Sequence, residues 1–491
     1  MNTELPRFDT KMSDAEGLMW RLEKDPFLAS TFGNITILDS RLDFEMFTRR
    51  MERTSMVIPR LRQRVQSAPA SVGAPSWVDD PEFNIRYHVR SVALPSPGSL
   101  RQLLDLSMLL IADAFDRSRP LWQFVVVDGL EGGKSALIQK LHHTITDGEG
   151  GVALSMQFLD LERNAPEPPP ILNAESASAS TNLPNNASTL LQSSMADAMR
   201  LPLGLLRQLR DVLSDPSRLP TLGTQTAATV RTMLSQITNV DPARSPLWTK
   251  RSLKRRLEVL RVPYRPMLDA SRALGGKINT AFLTAAADAS GRYHRELGMP
   301  VESLRTSMAV STRTENSGSN AFSLVRLLVP TSEMPIGERF SAINESVNQA
   351  RGSSMSAALG TLASVSAALP TSVLTRIART HSQTVDFATS NVRGAGVPLF
   401  IAGAQMLENY PVGPLGGVAF NVTLLSYNHS LDLGLNIDPE AVARPDLLRT
   451  CMEQSLAELI AMAQPPATLP PPTLGRPNLW IRFKTRLKRS R

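Results

Sequence analysis

Two adjacent histidines are the residues of this chain most suited to chemistry. His142 and His143 stand in the string LHHTITDG over residues 141–148, and the protein contains six histidines in all. A histidine with a pKa near neutrality can take a proton from an alcohol or an amine. Asp147 follows His143 by four residues and, with the flexible Gly148, can brace a loop. The string therefore predicts a general base, with two histidines that end a strand and hydrogen-bond locally as the alternative.

The segments around the histidines place them where a strand opens into a loop. Residues 135–141 predict a strand just before them, and residues 150–160 predict an apolar helix just after. A neighbouring strand is predicted over 121–127 and an amphipathic helix over 100–114. Loops held by a rigid scaffold are common sites of chemistry, so this position favours a catalytic role.

A second mixed segment begins near Arg255, after a stretch of different composition. Residues 166–254 begin rich in Pro, Ser and Ala and have no aromatic residue between Phe158 and Trp248, which predicts a linker with bridging helices. Beyond it, the pattern predicts helices over 269–274, 280–297 and 444–463, and strands over 304–311, 321–329, 418–426 and 431–437. We therefore divide the chain into residues 1–165, 166–254, 255–466 and 467–491.

Composition limits the class of protein. The chain has 491 residues, of which 42% are hydrophobic and 20% charged, which is typical of a folded protein of two or three domains. A single cysteine, Cys451, excludes a disulfide framework and a cysteine-based metal cluster.

The first 25 residues are partly acidic and lack an apolar signal segment, so we expect a reducing cytoplasm. The longest uncharged runs, 352–375 and 409–431, are too polar or too rich in Gly and Pro to span a membrane, and we expect buried strands or pocket-lining segments there.

The net charge of +8 is concentrated in the C-terminal tail. Residues 476–491 hold seven basic residues and no acidic one, so the rest of the chain is nearly neutral and does not indicate nucleic-acid binding. Trp480, Phe483 and Leu487 recur at helical spacing among these basic residues. The tail therefore predicts either a basic amphipathic helix for an anionic membrane surface or a solvated terminus.

Further segments accompany the histidine string. They are Tyr87-His88-Val89-Arg90, Pro120-Leu121-Trp122, Ser390-Asn391-Val392-Arg393-Gly394, and Asn421-Val422-Thr423 with Ser426-Tyr427 and Asp432. On physical grounds alone, Pro120, Leu121 and Trp122 favour the packed start of a strand over a substrate contact. Ser390 and Asn391 can donate hydrogen bonds to a developing oxyanion, although a turn after Thr389 explains them equally well.

With these segments the sequence resembles the bacterial wax ester synthase/diacylglycerol acyltransferase family of the CoA-dependent acyltransferase superfamily. The resemblance covers roughly residues 13–463. The chain departs from the family pattern at Asn279-Thr280, where the family usually has Asn-Asp, and at Ser319-Asn320, where it has Gly-Asn. Residues 27–37 also lack the usual Met-His-Val stretch.

The resemblance implies an α+β fold in which two chloramphenicol-acetyltransferase-like halves are joined by a helical linker, with the active site in a channel between them. It implies that His143, beside His142, is the general base that deprotonates a lipid hydroxyl for direct attack on an acyl-CoA thioester. Asp147 would brace the loop through a basic partner, Gly148 would permit a tight chain path, and Asn279 would still cap its helix.

The partners implied are acyl-CoA as co-substrate and diacylglycerol or a long-chain alcohol as acceptor, with no cofactor and no metal. The protein would be cytoplasmic and peripherally associated with the inner face of the plasma membrane or with lipid droplets. Two alternatives stay open at this point. One is a condensation or polyketide-type acyltransferase with a carrier-protein donor, and the other is a non-catalytic lipid-binding relative.

Overall fold

The first mixed segment forms the elements that carry the histidine string. The computed structural model describes residues 9–67, 75–168, 242–311, 322–352 and 371–463. In the first two ranges the helices are α1 (Asp14–Leu22), α2 (Phe44–Val57), α3 (Ile85–His88), α4 (Leu100–Ala112) and α5 (Gly148–Ser155), and the strands are β1 (Thr31–Leu38), β2 (Gln63–Gln66), β3 (Ser76–Asp79), β4 (Val89–Ala93), β5 (Trp122–Leu130) and β6 (Lys134–His142). The predicted strands over 121–127 and 135–141 are confirmed as β5 and β6. The predicted helix over 150–160 is shorter, because the chain turns after Ser155 to bury Phe158.

Within the described residues, the second mixed segment contains the seven predicted elements and six others, and the helix predicted over 269–274 begins five residues earlier. Its helices are α6 (Tyr264–Ala273), α7 (Ile278–Glu296), α8 (Ile336–Gly352), α9 (Thr371–Ser382) and α10 (Pro445–Ala461), and its strands are β7 (Arg256–Pro263), β8 (Ser303–Ser311), β9 (Phe322–Pro330), β10 (Phe387–Arg393), β11 (Phe400–Ile401), β12 (Ala404–Val412), β13 (Phe420–Tyr427) and β14 (Ser430–Ile437). Residues 409–431, expected as buried strand or pocket-lining segment, form the end of β12, all of β13 and the first two residues of β14, and β13 is buried along almost its whole length.

Two six-stranded mixed sheets organise the described residues. The first has the order β11-β12-β1-β6-β5-β4, and the second has the order β7-β14-β13-β10-β8-β9. Strands β11 and β12 complete the first sheet although they lie within residues 255–466, which the sequence assigned to the second half. The exchange arises because β12 pairs antiparallel with β1, with Thr36 opposite Asn409. The α+β class and the two-part architecture are confirmed.

Each sheet is buried beneath helices. Behind the first sheet, α4 lies on β1, β5 and β6 with Leu103 and Leu104 buried. In the second half, α7 is buried on most of its faces and packs between α10, α8 and the second sheet. Its small residues permit this position, since Ala285 through Ala287 leave little side chain to accommodate.

In the part of the chain described here, no helix is both long enough and apolar enough to cross a lipid bilayer. The predicted bridging helices, the basic tail with Trp480, Phe483 and Leu487, most of residues 352–375, and Ser319-Asn320 lie outside the described residues.

Candidate active site

The two histidines stand at the end of β6, and the strands on both sides hold their backbone. His142 is paired with Thr31 of β1, and its N–H donates to the carbonyl of Leu121 over 3.1 Å. The N–H of His143 donates to the carbonyl of Ser30, also over 3.1 Å. The backbone of both histidines is therefore fixed between the beginnings of β1 and β5.

Helix α5 begins immediately after the loop, and Asp147 caps it. The Asp147 carboxylate accepts a hydrogen bond from the N–H of Gly150 over 2.8 Å, and the Asp147 side chain is buried. A side-chain cap of this kind satisfies one of the backbone donors that a helix leaves open at its start. The predicted bracing of the loop thus includes a helix N-cap in addition to any charged contact.

Gly148 brings the loop against the strand that carries Ser390 and Asn391. A methyl group at Gly148 would lie 2.9 Å from Cγ2 of Val392 on β10, closer than side-chain carbons approach one another. The glycine is required here by close approach rather than by a left-handed backbone. Two segments distant in sequence, the histidine string and the Ser-Asn-Val block, are thereby brought together.

The ring of His142 is held on both sides. The N–H of Thr144 donates to Nδ1 over 3.1 Å, so Nδ1 is an acceptor and the proton of a neutral ring is on Nε2. Nε2 lies 3.1 Å from Oε2 of Glu23. His142 is 1% exposed, and these contacts give it a single orientation and a single tautomer.

His143 is partly exposed and beside the ring of Phe32, with 4.6 Å between the ring centroids. Its pKa is lowered to about 4. Burial is the main cause, whereas the carboxylates of Asp147 and Glu23 act in the opposite direction. At neutral pH the imidazole is therefore neutral and has a lone pair to accept a proton.

Pro120, Leu121 and Trp122 are all buried at the start of β5. The indole of Trp122 stacks on His88 with 4.5 Å between the ring centroids, and its N–H donates to the carbonyl of Leu61 over 2.8 Å. These three residues therefore occupy the packed start of a strand, which is the position that physical reasoning favours for them. The carbonyl of Leu121 also receives the N–H of His142, so this strand start supports the loop directly.

Asn279 and Asn391 meet although they are far apart in sequence. The side-chain amide of Asn391 on β10 donates to the side-chain oxygen of Asn279 in the first turn of α7. The expected cap by Asn279 is wrong, because Lys277 is the N-cap residue and Asn279 lies inside the helix. Ser390 precedes Asn391 on the strand and is partly exposed. Thr280, which replaces the family's usual Asp, donates to the Asn344 side chain over 3.1 Å. The departure from the family pattern is thus accommodated by a neutral hydrogen bond.

The late Ser426-Tyr427 pair anchors the segment that leaves β10. The N–H of Gly394 donates to the Ser426 hydroxyl over 3.2 Å. The Tyr427 hydroxyl accepts from the N–H of Leu399 over 2.9 Å and donates to the carbonyl of Met406 over 3.1 Å. These contacts guide the chain from the second sheet into the first.

Asp432 joins the two sheets nearby. Its buried carboxylate is 3.1 Å from Nε of Arg261 and accepts from the N–H of Asn409 on β12 over 2.8 Å. Burial raises the pKa of Asp432 to about 6, although the charge of Arg261 opposes this shift. The carboxylate therefore links the exchanged strand β12 to β14.

The sequence did not reveal Glu23, Ser30 or Val392. Val392 belongs to the Ser-Asn-Val motif, but nothing in the sequence indicates its contact with Gly148, because the two residues are far apart in the chain. One signal was present for Glu23, since a carboxylate ends α1 where the helix dipole disfavours negative charge.

Comparison with known proteins identifies the family. The model of the wax ester synthase/diacylglycerol acyltransferase catalytic domain matches residues 7–282, and the model of the WS/DGAT C-terminal domain matches residues 318–460. The chain belongs to the wax ester synthase/diacylglycerol acyltransferase family. The predicted enzyme class, an acyltransferase, is thereby confirmed.

Relatives of similar length support this assignment. A protein of Mycobacterium tuberculosis (strain ATCC 25618 / H37Rv) described as a diacylglycerol O-acyltransferase is 32% identical over 94% of this chain and 94% of its own. The protein named tgs1 from the same strain is 28% identical over 91% of this chain and 95% of its own.

Solved structures share the fold. The wax ester synthase/diacylglycerol acyltransferase from Marinobacter aquaeolei VT8 superposes with a TM-score of 0.63 at 22% identity, covering 92% of this chain and all of that chain. A starter condensation domain of rhizomide synthetase superposes with a TM-score of 0.55 at 12% identity, covering 94% of this chain and 98% of that chain. Both likenesses establish the two-part fold alone.

Proposed function

We propose that this protein transfers an acyl group from acyl-CoA to the hydroxyl group of diacylglycerol and so forms triacylglycerol. A long-chain alcohol, which would give a wax ester, is the second acceptor. The family assignment supports this substrate class, as do relatives described as diacylglycerol O-acyltransferases that match almost end to end.

The state and place of His143 carry the proposal. Its pKa of about 4 leaves the ring neutral at neutral pH, as a general base requires. Hydrogen bonds from two neighbouring strands fix the loop, and the side chain keeps some exposure through which a substrate hydroxyl can approach.

In the proposed reaction, His143 accepts the proton of the acceptor hydroxyl as its oxygen attacks the thioester carbonyl carbon. A carbon–oxygen bond forms and gives a tetrahedral oxyanion. The oxyanion then collapses, the carbon–sulfur bond breaks, and His143 returns the proton to the sulfur of CoA. The products are an ester and free CoA, and no covalent enzyme intermediate or nucleophile elbow is needed.

Ser390 is the proposed donor to the oxyanion, because its side chain lies on the same face of β10 as Val392, which meets Gly148 of the histidine loop. The side chain of Asn391 lies on the opposite face, where it donates to Asn279 and supports the strand. The strand that carries both residues adjoins the histidine loop through Val392 and Gly148. Donors that are fixed before the reaction stabilise developing charge at little reorganisation cost. We place the substrates in a channel between the two halves.

The test is release of free CoA from palmitoyl-CoA by the purified full-length protein, with diacylglycerol, hexadecanol or no acceptor. Release that depends on diacylglycerol, with triacylglycerol as the product, supports the proposal. Turnover only with an acyl group on a carrier protein would instead support a condensation-type donor. No release with any donor would indicate a non-catalytic lipid-binding relative.

We also propose that the protein acts at a membrane or lipid-droplet surface, through the basic tail over residues 476–491. Both substrates are amphiphiles, and the tail concentrates positive charge beside Trp480 and Phe483. Removal of residues 475–491 should reduce sedimentation with phosphatidylglycerol vesicles and leave the weak sedimentation with phosphatidylcholine vesicles unchanged. Equal binding by the full-length and shortened proteins would contradict this role.

A further inference from the structure

Glu23 occupies a position that local rules disfavour. It is the C-terminal cap of α1, where the partial negative charge of the helix dipole repels a carboxylate. Its side chain is 14% exposed, so water screens this repulsion only weakly. Residues that break a local rule without an evident local gain are concentrated at functional or strained sites.

The contacts that stabilise the Glu23 carboxylate come from residues outside its own helix. Its Oε2 accepts the N–H of Ser30 over 2.7 Å and lies 3.1 Å from Nε2 of His142. The carbonyl of the same Ser30 accepts the N–H of His143. One carboxylate oxygen thus lies in contact with the ring of the first histidine and, through Ser30, holds the backbone of the second.

Charged and aromatic groups keep this carboxylate ionised. Burial alone would raise the pKa of Glu23, but the contact with His142, the Ser30 N–H and the charge of Arg117 outweigh it, and the pKa lies below its ordinary value. The Arg117 guanidinium is itself held 3.4 Å above the centroid of the Trp20 ring and donates to the Trp20 carbonyl over 2.9 Å. The carboxylate is therefore an anchor that is already in place before any substrate binds.

We infer that Glu23 is a positioning residue for the reaction, which orients the ring of His142 through the contact at Nε2 and places His143 through Ser30. The inference rests on the proposed function of His143 as general base. Glu23 does not touch the reacting atoms in this account. Its effect is on the geometry of the base, and small displacements of a catalytic group can reduce turnover about 100-fold.

Three substitutions separate geometry from charge. Glu23→Ala removes both contacts, and Glu23→Asp keeps the charge but withdraws the carboxylate by one methylene group. Glu23→Gln keeps the length and an acceptor oxygen. We expect kcat to fall about 10- to 100-fold for Glu23→Ala and Glu23→Asp, with KM for acyl-CoA within about twofold of wild type. Glu23→Gln should restore kcat to within about fivefold of wild type.

A matched control and an independent readout complete the experiment. Glu45→Ala removes another carboxylate of the first half, which forms an exposed ion pair with Arg86, and should leave kcat unchanged. Nitrogen NMR of protein labelled at its six histidines should show His142 as the Nε2–H tautomer in wild type and Glu23→Gln. In Glu23→Ala the Nε2 signal of His142 should shift, because its carboxylate neighbour is lost while Thr144 still donates to Nδ1.

The outcomes distinguish the inference from the proposed function. Wild-type protein without acceptor-dependent CoA release contradicts the proposed function, and with it the reaction that Glu23 would serve. Wild-type turnover, together with a kcat for Glu23→Asp within twofold of it, contradicts the role of Glu23 alone. Because Glu23→Asp and Glu23→Gln keep a polar group at the site, this comparison stands even if Glu23→Ala does not fold.

Discussion

Burial decides the protonation state of the histidines that the two halves enclose. His88, His143 and His294 all have a lowered pKa, and burial is the largest cause for each. His88 and His294 each have Nδ1 2.7 Å from a backbone carbonyl, which identifies Nδ1 as the protonated nitrogen. Both rings lie in the core.

The pKa of His88 predicts a pH dependence of stability. Burial, only partly offset by the hydrogen bond to the Trp122 carbonyl, lowers the pKa to about 4. The unfolded chain takes up this proton near pH 6.5, so between pH 6.5 and 4 the unfolded state binds more protons than the folded state. The free energy of unfolding therefore falls as the pH falls, by about 2 kcal/mol per such histidine from pH 7 to 5.

Urea unfolding of wild type and His88→Gln at pH 7 and pH 5 measures this contribution. The glutamine amide can still donate to the Trp122 carbonyl, but it does not titrate. We expect the stability difference between the two proteins to shift by about 2 kcal/mol in favour of the variant at pH 5. A difference that is equal at both pH values would show that His88 is not held neutral by burial.

At the scale of elements, the site depends on how closely α5 approaches β10. Gly148→Ala would place a methyl group 2.9 Å from Cγ2 of Val392. Overpacking of this kind costs about 1–3 kcal/mol and would displace the loop that carries His143. We therefore expect lower stability and lower kcat for Gly148→Ala.

The double variant Gly148→Ala/Val392→Ala removes the clash and should recover much of both losses. Gly396→Ala is the matched control, since a methyl group there meets nothing within 4 Å, and it should behave as wild type. A double variant no better than Gly148→Ala would contradict the close approach as the reason for the glycine.

The elements show which parts of the structure a sequence can predict. Strands β5, β6, β8, β9, β13 and β14 and helices α4, α7 and α10 follow from periodic apolar residues, because that pattern is set by the faces that each element buries. The pairing of β12 with β1 in the first sheet was not predicted. The periodicity of apolar residues indicates that a segment is a strand, but it does not indicate which strand it pairs with. Helix α5 was predicted too long because its last turn is replaced by the turn that buries Phe158.

At the scale of the whole molecule, the fold and the enzyme class followed from several short motifs that agree with one another. The contacts of Glu23 with Ser30 and His142 did not, because they join residues that are far apart in the chain and that no motif links. The two-sheet arrangement explains why these contacts form at the candidate site. It brings the end of β6, the start of β1 and the end of β10 to one place, and the candidate base is held there from three directions.

Turnover by His143→Ala, measured beside wild type, tests most directly whether His143 is the general base. The measurement is triacylglycerol formed from palmitoyl-CoA and diacylglycerol, with the melting temperature of both proteins recorded in the same buffer. A correctly placed general base contributes about 10²–10⁴ in rate, so we expect turnover to fall by that factor while the melting temperature stays within a few degrees. Turnover by His143→Ala close to that of wild type would contradict the role of His143 as general base.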